Sequence, residues 1–256
     1  GAIATTASVR LSNSRFFDNS ARRGGAISAS SVSEIISSTL CNNSALNAGG
    51  AIHAGAISLI QRSTLCSNSV TTTDSAQLGG GALNVTFAPQ DFSIERSTFS
   101  NNNALRGGAI SMPGGDLLVR GSTFVAPTTV QAGTLGSLLR YTGANASDTI
   151  NFNNSIFIGQ CSYADAGIVP DTALNNIEAS GNTCRMTSAT LNSGNQVAVS
   201  GTAVNLGPLA DNGGPTQTRL PIAPSIAIGS ASQFSCVSPD QRAAGAGIVP
   251  AVSAVG

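Results

Sequence analysis

A chain of 256 residues that is 9% charged and 4% aromatic, with no Trp and no Lys, lacks the usual material of a compact globular interior. Its 41% apolar content excludes disorder, and twelve Arg balanced by twelve acids, with Arg22-Arg23 the only adjacent pair, exclude the clustered charge of a nucleic-acid binder. No apolar run approaches the ~18 residues of a membrane span, and most of what remains is Gly, Ser, Thr, Asn and Ala.

The chain opens in mid-pattern at Gly1-Ala2-Ile3, as expected of a processed product of a longer precursor. Val9 and Leu11 alternate with polar residues, the signature of a strand. Ser14-Arg15-Phe16-Phe17-Asp18-Asn19 follows, and the string then recurs. It returns as Ser38-Thr39-Leu40-Cys41-Asn42-Asn43, as Ser63-Thr64-Leu65-Cys66-Ser67-Asn68 and as Ser97-Thr98-Phe99-Ser100-Asn101-Asn102. Ser122-Thr123-Phe124-Val125 and Ser155-Ile156-Phe157-Ile158 continue it without the Asn. The large apolar anchors at 16, 40, 65, 99, 124 and 157 give a base period near 25 with two insertions. One of these is the Thr-rich stretch from Val70 to Leu78.

Five residues before each anchor stands Leu11, Ile35, Ile60, Ile94, Val119 or Phe152, and after the first four come Gly-Gly-Ala-Ile or Gly-Gly-Ala-Leu markers at 24, 49, 80 and 107. In the first, fourth, fifth and sixth copies Val9, Phe92, Leu117 and Ile150 extend the alternation by two residues. Each unit therefore reads as a strand, a turn at the Ser, an anchor strand, an Asn-rich turn, then Gly-Gly and a third strand. Such a unit cannot bury its apolar side alone, whereas stacked copies share one interior. The expected fold is all-β, a right-handed parallel β-helix with three short strands per coil. Roughly eight coils at ~4.8 Å would make a rod of about 40 Å. Coils are expected over 1–200, and 201–256 is expected to continue or close the solenoid.

Stacking superimposes equivalent residues. Asn19, Asn43, Asn68 and Asn102 form a column whose amides can hydrogen-bond along the stack while satisfying turn backbone, and Asn tolerates the left-handed conformation of sharp corners. Cys41 and Cys66 share one register, close enough for a bridge but equally compatible with two buried thiols. Cys161 and Cys184 are about one coil apart and raise the same question, and Cys236 is left over. No Cys/His cluster suggests a metal, and no cofactor is expected. Thr39, Thr64, Thr98 and Thr123 make a rank, but without the Thr-x-Thr repetition of an ice-binding face.

Polysaccharide lyases and hydrolases also use this fold, and they need paired carboxylates or a strong base. The twelve acids look scattered, and the only His, His53, occupies a position held by Ser28, Asn84 and Ser111 in other copies. The chain is therefore read as non-catalytic.

From Gly201 the texture changes to Leu206-Gly207-Pro208-Leu209-Ala210-Asp211-Asn212-Gly213-Gly214-Pro215-Thr216-Gln217-Thr218, with Leu220-Pro221, Cys236 and Asp240-Gln241-Arg242 beyond. That string resembles the choice-of-anchor Q region of bacterial surface β-helix proteins. The upstream Asn and Gly-Gly-Ala-Ile units resemble the repeats of polymorphic outer-membrane proteins. The resemblance implies a secreted or surface-displayed structural module, namely an adhesin passenger, matrix component or filament subunit, extracellular or on the bacterial cell surface. The alternative is a carbohydrate-binding or carbohydrate-degrading β-helix. The apolar tail Ala243 to Gly256 departs from the pattern, and its Ala246-Gly247-Ile248-Val249-Pro250 repeats Ala166-Gly167-Ile168-Val169-Pro170. Open solenoid ends expose strand edges, so end-to-end stacking into a homo-oligomer is the expected self-association, beside a cell-surface or glycan receptor.

Overall fold

The computed structural model describes residues 1–72, 79–130, 132–143, 145, 147–179, 181–231 and 240–242. Cys236, Asp74 and the tail from Ala243 lie outside them. The chain is a parallel β-solenoid. Its strands form a long sheet of thirteen, an anchor sheet of eight and a short sheet of three. In the anchor sheet Phe16, Leu40, Leu65, Phe99, Phe124 and Phe157 are register partners, each one coil from the next. They point inward, because the side chains of a strand alternate and this alternate set is apolar. Phe99 stacks on Phe124 at 4.6 Å and Phe124 on Phe157 at 5.4 Å, an offset that adds about 0.5–1.5 kcal/mol per pair beyond burial.

The strand after Gly-Gly is not a separate third face. It runs straight into the strand that opens the next unit, so Ile27–Ile36 and Ile52–Gln61 are each one continuous strand of the long sheet. Later coils divide this strand with loops, giving pairs such as Leu83–Val85 with Phe92–Glu95. The third sheet is built from Ser20–Arg23, Ser44–Ala48 and Ser69–Val70, stretches that read as turn because no large apolar residue recurs in one register among them. The interrupted alternation of the second and third copies also has a physical cause. A bulge between Val9 and Arg10 sets Val9 against Val32, and Val32 pairs with Ile57, so these residues fill the inward position three residues before Ile35 and Ile60, one earlier than strict alternation predicts.

Each corner needs a left-handed residue, and the structure places it one position before the expected one. Asp18, Asn42, Ser67 and Asn101 have φ near +57, +57, +51 and +57°, whereas the column Asn follows them. At the third corner the first glycine of each pair bends the chain, and the second has no room for a side chain. A Cβ on Gly50 would meet the Gly81 carbonyl oxygen at 2.1 Å.

The stack continues past the sixth anchor. Ile156 pairs with Ile177, which pairs with Gln196, at shorter steps than the base period. Phe157 sits against Glu178, so an acid occupies the anchor column. After Val199 a one-turn helix, Gly201–Val204, leads into a segment that turns back along the outside of the anchor sheet. There Val204 and Ala227 pack on Ile156, Ile177 and Ala179 as a second, smaller core. This segment lies along the side of the coils; among the described residues it adds no strand to them.

Candidate functional site

Three features carry the polar chemistry of the chain: the corner columns, the flank under the returning segment, and the loop edge of the long sheet. In the Asn column, Asn19 Nδ2 donates to Asn43 Oδ1 at 2.9 Å, Asn43 Nδ2 to Asn68 Oδ1 at 3.0 Å and Asn68 Nδ2 to Asn102 Oδ1 at 2.9 Å. The backbone N–H of each upstream Asn donates to the same oxygen, at 3.0–3.1 Å. Asn43, Asn68 and Asn102 are buried, and this network is what makes their burial affordable.

The Ser column is wired alike. The N–H of Ser14, Ser38, Ser63, Ser97 and Ser122 donates to the hydroxyl of the Ser one coil further on. Ser155 then donates to Asn176 Oδ1 and Asn176 to Asn195 Oδ1. These two later members were hidden in the sequence because Asn replaces Ser there.

The structure joins both cysteine pairs. Cys41–Cys66 has a Cα separation of 4.5 Å and lies on the outer side of the anchor sheet, while Cys161–Cys184, at 4.8 Å, lies in the interior. On that outer side the Thr rank is not a free face. Thr39, Thr64, Thr98 and Thr123 are all buried. Thr64 donates to the Gln217 carbonyl at 2.5 Å and Thr98 to Gln241 Oε1 at 2.7 Å. Gln241 Nε2 donates to Thr64 Oγ1 and Thr216 Oγ1, each at 3.0 Å. Arg219 Nε reaches Ser100 Oγ at 2.9 Å, and Asp240 pairs with Arg242. The sequence signal for this docking was present in the Asp240-Gln241-Arg242 string, but nothing local tells a glutamine which Thr rank it will meet.

The acids are less scattered than their numbering suggests. Asp148, Asp165 and Asp171 converge with Tyr141 and Asn145 on a cavity of about 310 Å³ at the loop edge. Their oxygens mainly organise the loops: Asp148 Oδ2 accepts from Gly115 N–H at 2.9 Å and Asn145 N–H at 2.8 Å, Asp171 from Ile150 N–H and Asp165 from Gly167 N–H. Burial opposes ionisation of Asp148, but the Gly115, Asn145 and Tyr141 hydrogen bonds outweigh it and lower its pKa. Burial, then the Asp148 charge, pushes Tyr141 up. Among the described residues no three His, Cys, Asp or Glu form a metal-holding set.

One acid is internal. Glu178 accepts from Thr183 N–H at 2.6 Å, Thr183 Oγ1 at 2.7 Å and Cys184 N–H at 3.0 Å, while its Oε2 is buried without a partner. Burial outweighs these bonds and raises its pKa. His53 stands on the outward face of the long sheet in a register column that runs Ser28, His53, Asn84, Ser111, Arg140, Ser162. Its Nδ1 is 2.9 Å from Asn84 Oδ1, and burial, aided by the Arg23 charge and opposed by that hydrogen bond, lowers its pKa.

With one complete coil thus described, its counterpart among known sequences is informative. Residues 37–55 match the Chlamydia polymorphic membrane protein (Chlamydia_PMP) repeat. The matched PMP repeat holds Ser38, the anchor Leu40, Asn43 and Gly49-Gly50-Ala51-Ile52, hence one member of each column and all three corners. No curated protein and no solved structure matches the chain. No helix among the described residues is long and apolar enough to cross a membrane.

Proposed function

We propose that this chain is a non-catalytic β-solenoid displayed on a bacterial outer surface, a passenger-type scaffold for adhesion or for a surface layer. The observation that carries the reading is that the PMP-like repeat coincides with the hydrogen-bonded columns, so the similarity falls on the residues that stack coils. Chemistry-bearing side chains are spent on architecture: Asn43 and Asn68 on corners, Cys41 and Cys66 on a staple between coils, Asp148 and Asp171 on loops. The described stretches 206–231 and 240–242, which resemble a choice-of-anchor Q region, serve in this reading as a strap over the anchor sheet. The test is protease shaving of intact cells that express the protein. Release of fragments carrying the repeat supports display; complete protection in intact cells, with digestion only after lysis, overturns it.

A carbohydrate-processing alternative draws on the cavity at Asp148, Asp165 and Asp171 and on Phe87, which is 70% exposed on the same loop edge. Turnover of a polysaccharide panel, abolished by Asp148→Asn or Asp171→Asn, would favour it over the scaffold reading.

A further inference from the structure

The column that contains His53 forms the outward face of one half of the long sheet. Each of its six members is polar, and none is a carboxylate. Arg140 stands in that column directly over Ser111. Arg106 belongs to the preceding coil, immediately before the Gly107 corner, and bridges to Leu135. Its charge reaches Arg140, whose pKa is lowered first by burial and then by Arg106. Cations on neighbouring coils repel, and an acid between them would relieve that repulsion. The ion pairs of the described residues are Arg10–Glu34, Arg96–Glu95 and Arg242–Asp240, and neither arginine takes part. Among the described residues Arg140 donates only to Ser162 Oγ, at 2.9 Å, and the Nε of both arginines is buried without an acceptor. A third cation, Arg23, is exposed at the equivalent corner of the first coil and acts on His53. Among the described residues Glu34 and Glu95 lie in the other half of the long sheet, Asp148, Asp165 and Asp171 at the loop edge and Glu178 inside.

We propose that this face, with Arg106 and Arg140 at its centre and Arg23 at its end, binds an anionic polysaccharide. The guanidinium fork suits sulfate and carboxylate oxygens, and Ser28, His53 and Ser162, half-buried in the same column, supply partners for hydroxyl groups. Charge spacing selects the polymer. Arg23 and Arg106 lie three coils apart, about 14 Å at ~4.8 Å per coil. Duplex DNA presents a charge every ~1.7 Å and would leave most phosphates unmatched. Single strands need aromatic platforms, and this column has none. The inference takes surface display as given, but its assay uses purified chain, so failure here leaves the display assay untouched.

Binding of the purified protein to heparin, polygalacturonate, neutral dextran and duplex DNA should be measured at low and physiological salt. We expect salt-sensitive binding to heparin, to polygalacturonate or to both, the two arms separating sulfate from carboxylate recognition, and none to dextran. The double variant Arg106→Gln/Arg140→Gln should weaken it at least tenfold. Ser111→Glu, which keeps both arginines and adds a carboxylate beside them, should do the same, while Arg10→Gln on the other half should not. Absence of binding to both anionic polymers at low salt, or equal binding by both altered proteins, overturns the proposal. Duplex DNA bound as tightly as either polysaccharide also overturns it.

Discussion

Thr98 Oγ1 donates to Gln241 Oε1 at 2.7 Å across 143 positions of sequence, and Gln241 is fully buried at that contact. The returning segment is thereby fastened to the middle of the solenoid as well as to its last coils. Replacing Gln241 by Ala leaves the Thr64 and Thr98 hydroxyls without it in a closed space. An unfolding free-energy loss of about 1–3 kcal/mol follows, readable by urea titration. Thr39→Ala, farther along the same rank, should cost less, since none of the hydrogen bonds from the strap described above ends on it.

The Asn column predicts a gradient. Asn68→Ala removes the oxygen that accepts from Asn43 N–H and Asn43 Nδ2, both buried. The expected cost is about 2–3 kcal/mol. Asn19→Ala, at the exposed first coil, removes only an end donor and should lie below about 1 kcal/mol. Equal costs would show that the column does not act as a connected network.

The fold was legible in the sequence wherever one residue type recurred in one register. The anchors from Phe16 to Phe157 gave the stack, and Ser28, Asn84 and Ser111 located His53. Legibility failed where chemistry was substituted: Glu178 for an aromatic anchor and Asn176 for the column Ser hid the late coils. It failed also for contacts between distant segments, because neither the Gln241 docking nor the meeting of Asp148 with Asp165 and Asp171 leaves a periodic trace. The left-handed corners were assigned one residue late because Asn-Asn at 42–43 and at 101–102 offers two candidates, and only the backbone decides between them.

Glu178 predicts an unusual pH response. Its folded-state pKa is raised, so its contribution to stability is fully present below the unfolded value near 4.3 and is lost as pH rises through the folded value. Stability should therefore fall as pH increases from the ordinary glutamate range toward neutral, and Glu178→Gln should flatten that slope. Asp148 acts in a separate window: its lowered pKa stabilises the fold above the unfolded value near 3.9, and that part is lost as pH falls through the folded value. Thermal melts of the two proteins from pH 3 to pH 8 would check both signs.

Each disulfide joins neighbouring coils across a short stretch, 25 residues for Cys41–Cys66 and 23 for Cys161–Cys184. Closing loops of that size limits the unfolded chain by roughly 3 kcal/mol each. Cys41→Ser/Cys66→Ser should lower the melting temperature under non-reducing conditions and abolish most of the further drop caused by reductant at that site. An unchanged melt would mean that the first pair does not staple the fold.

The wiring of the Ser column runs both ways. Main-chain amides donate to a side-chain oxygen on the following coil, from Ser14 to Asn195, while the Ser63 and Ser122 hydroxyls and the Asn176 and Asn195 amides donate to carbonyls of the coil before. Peeling a coil from either end therefore strands a polar group that the removed coil had satisfied. The rod is latched on both sides of each such junction, and neither terminus offers an easy exit.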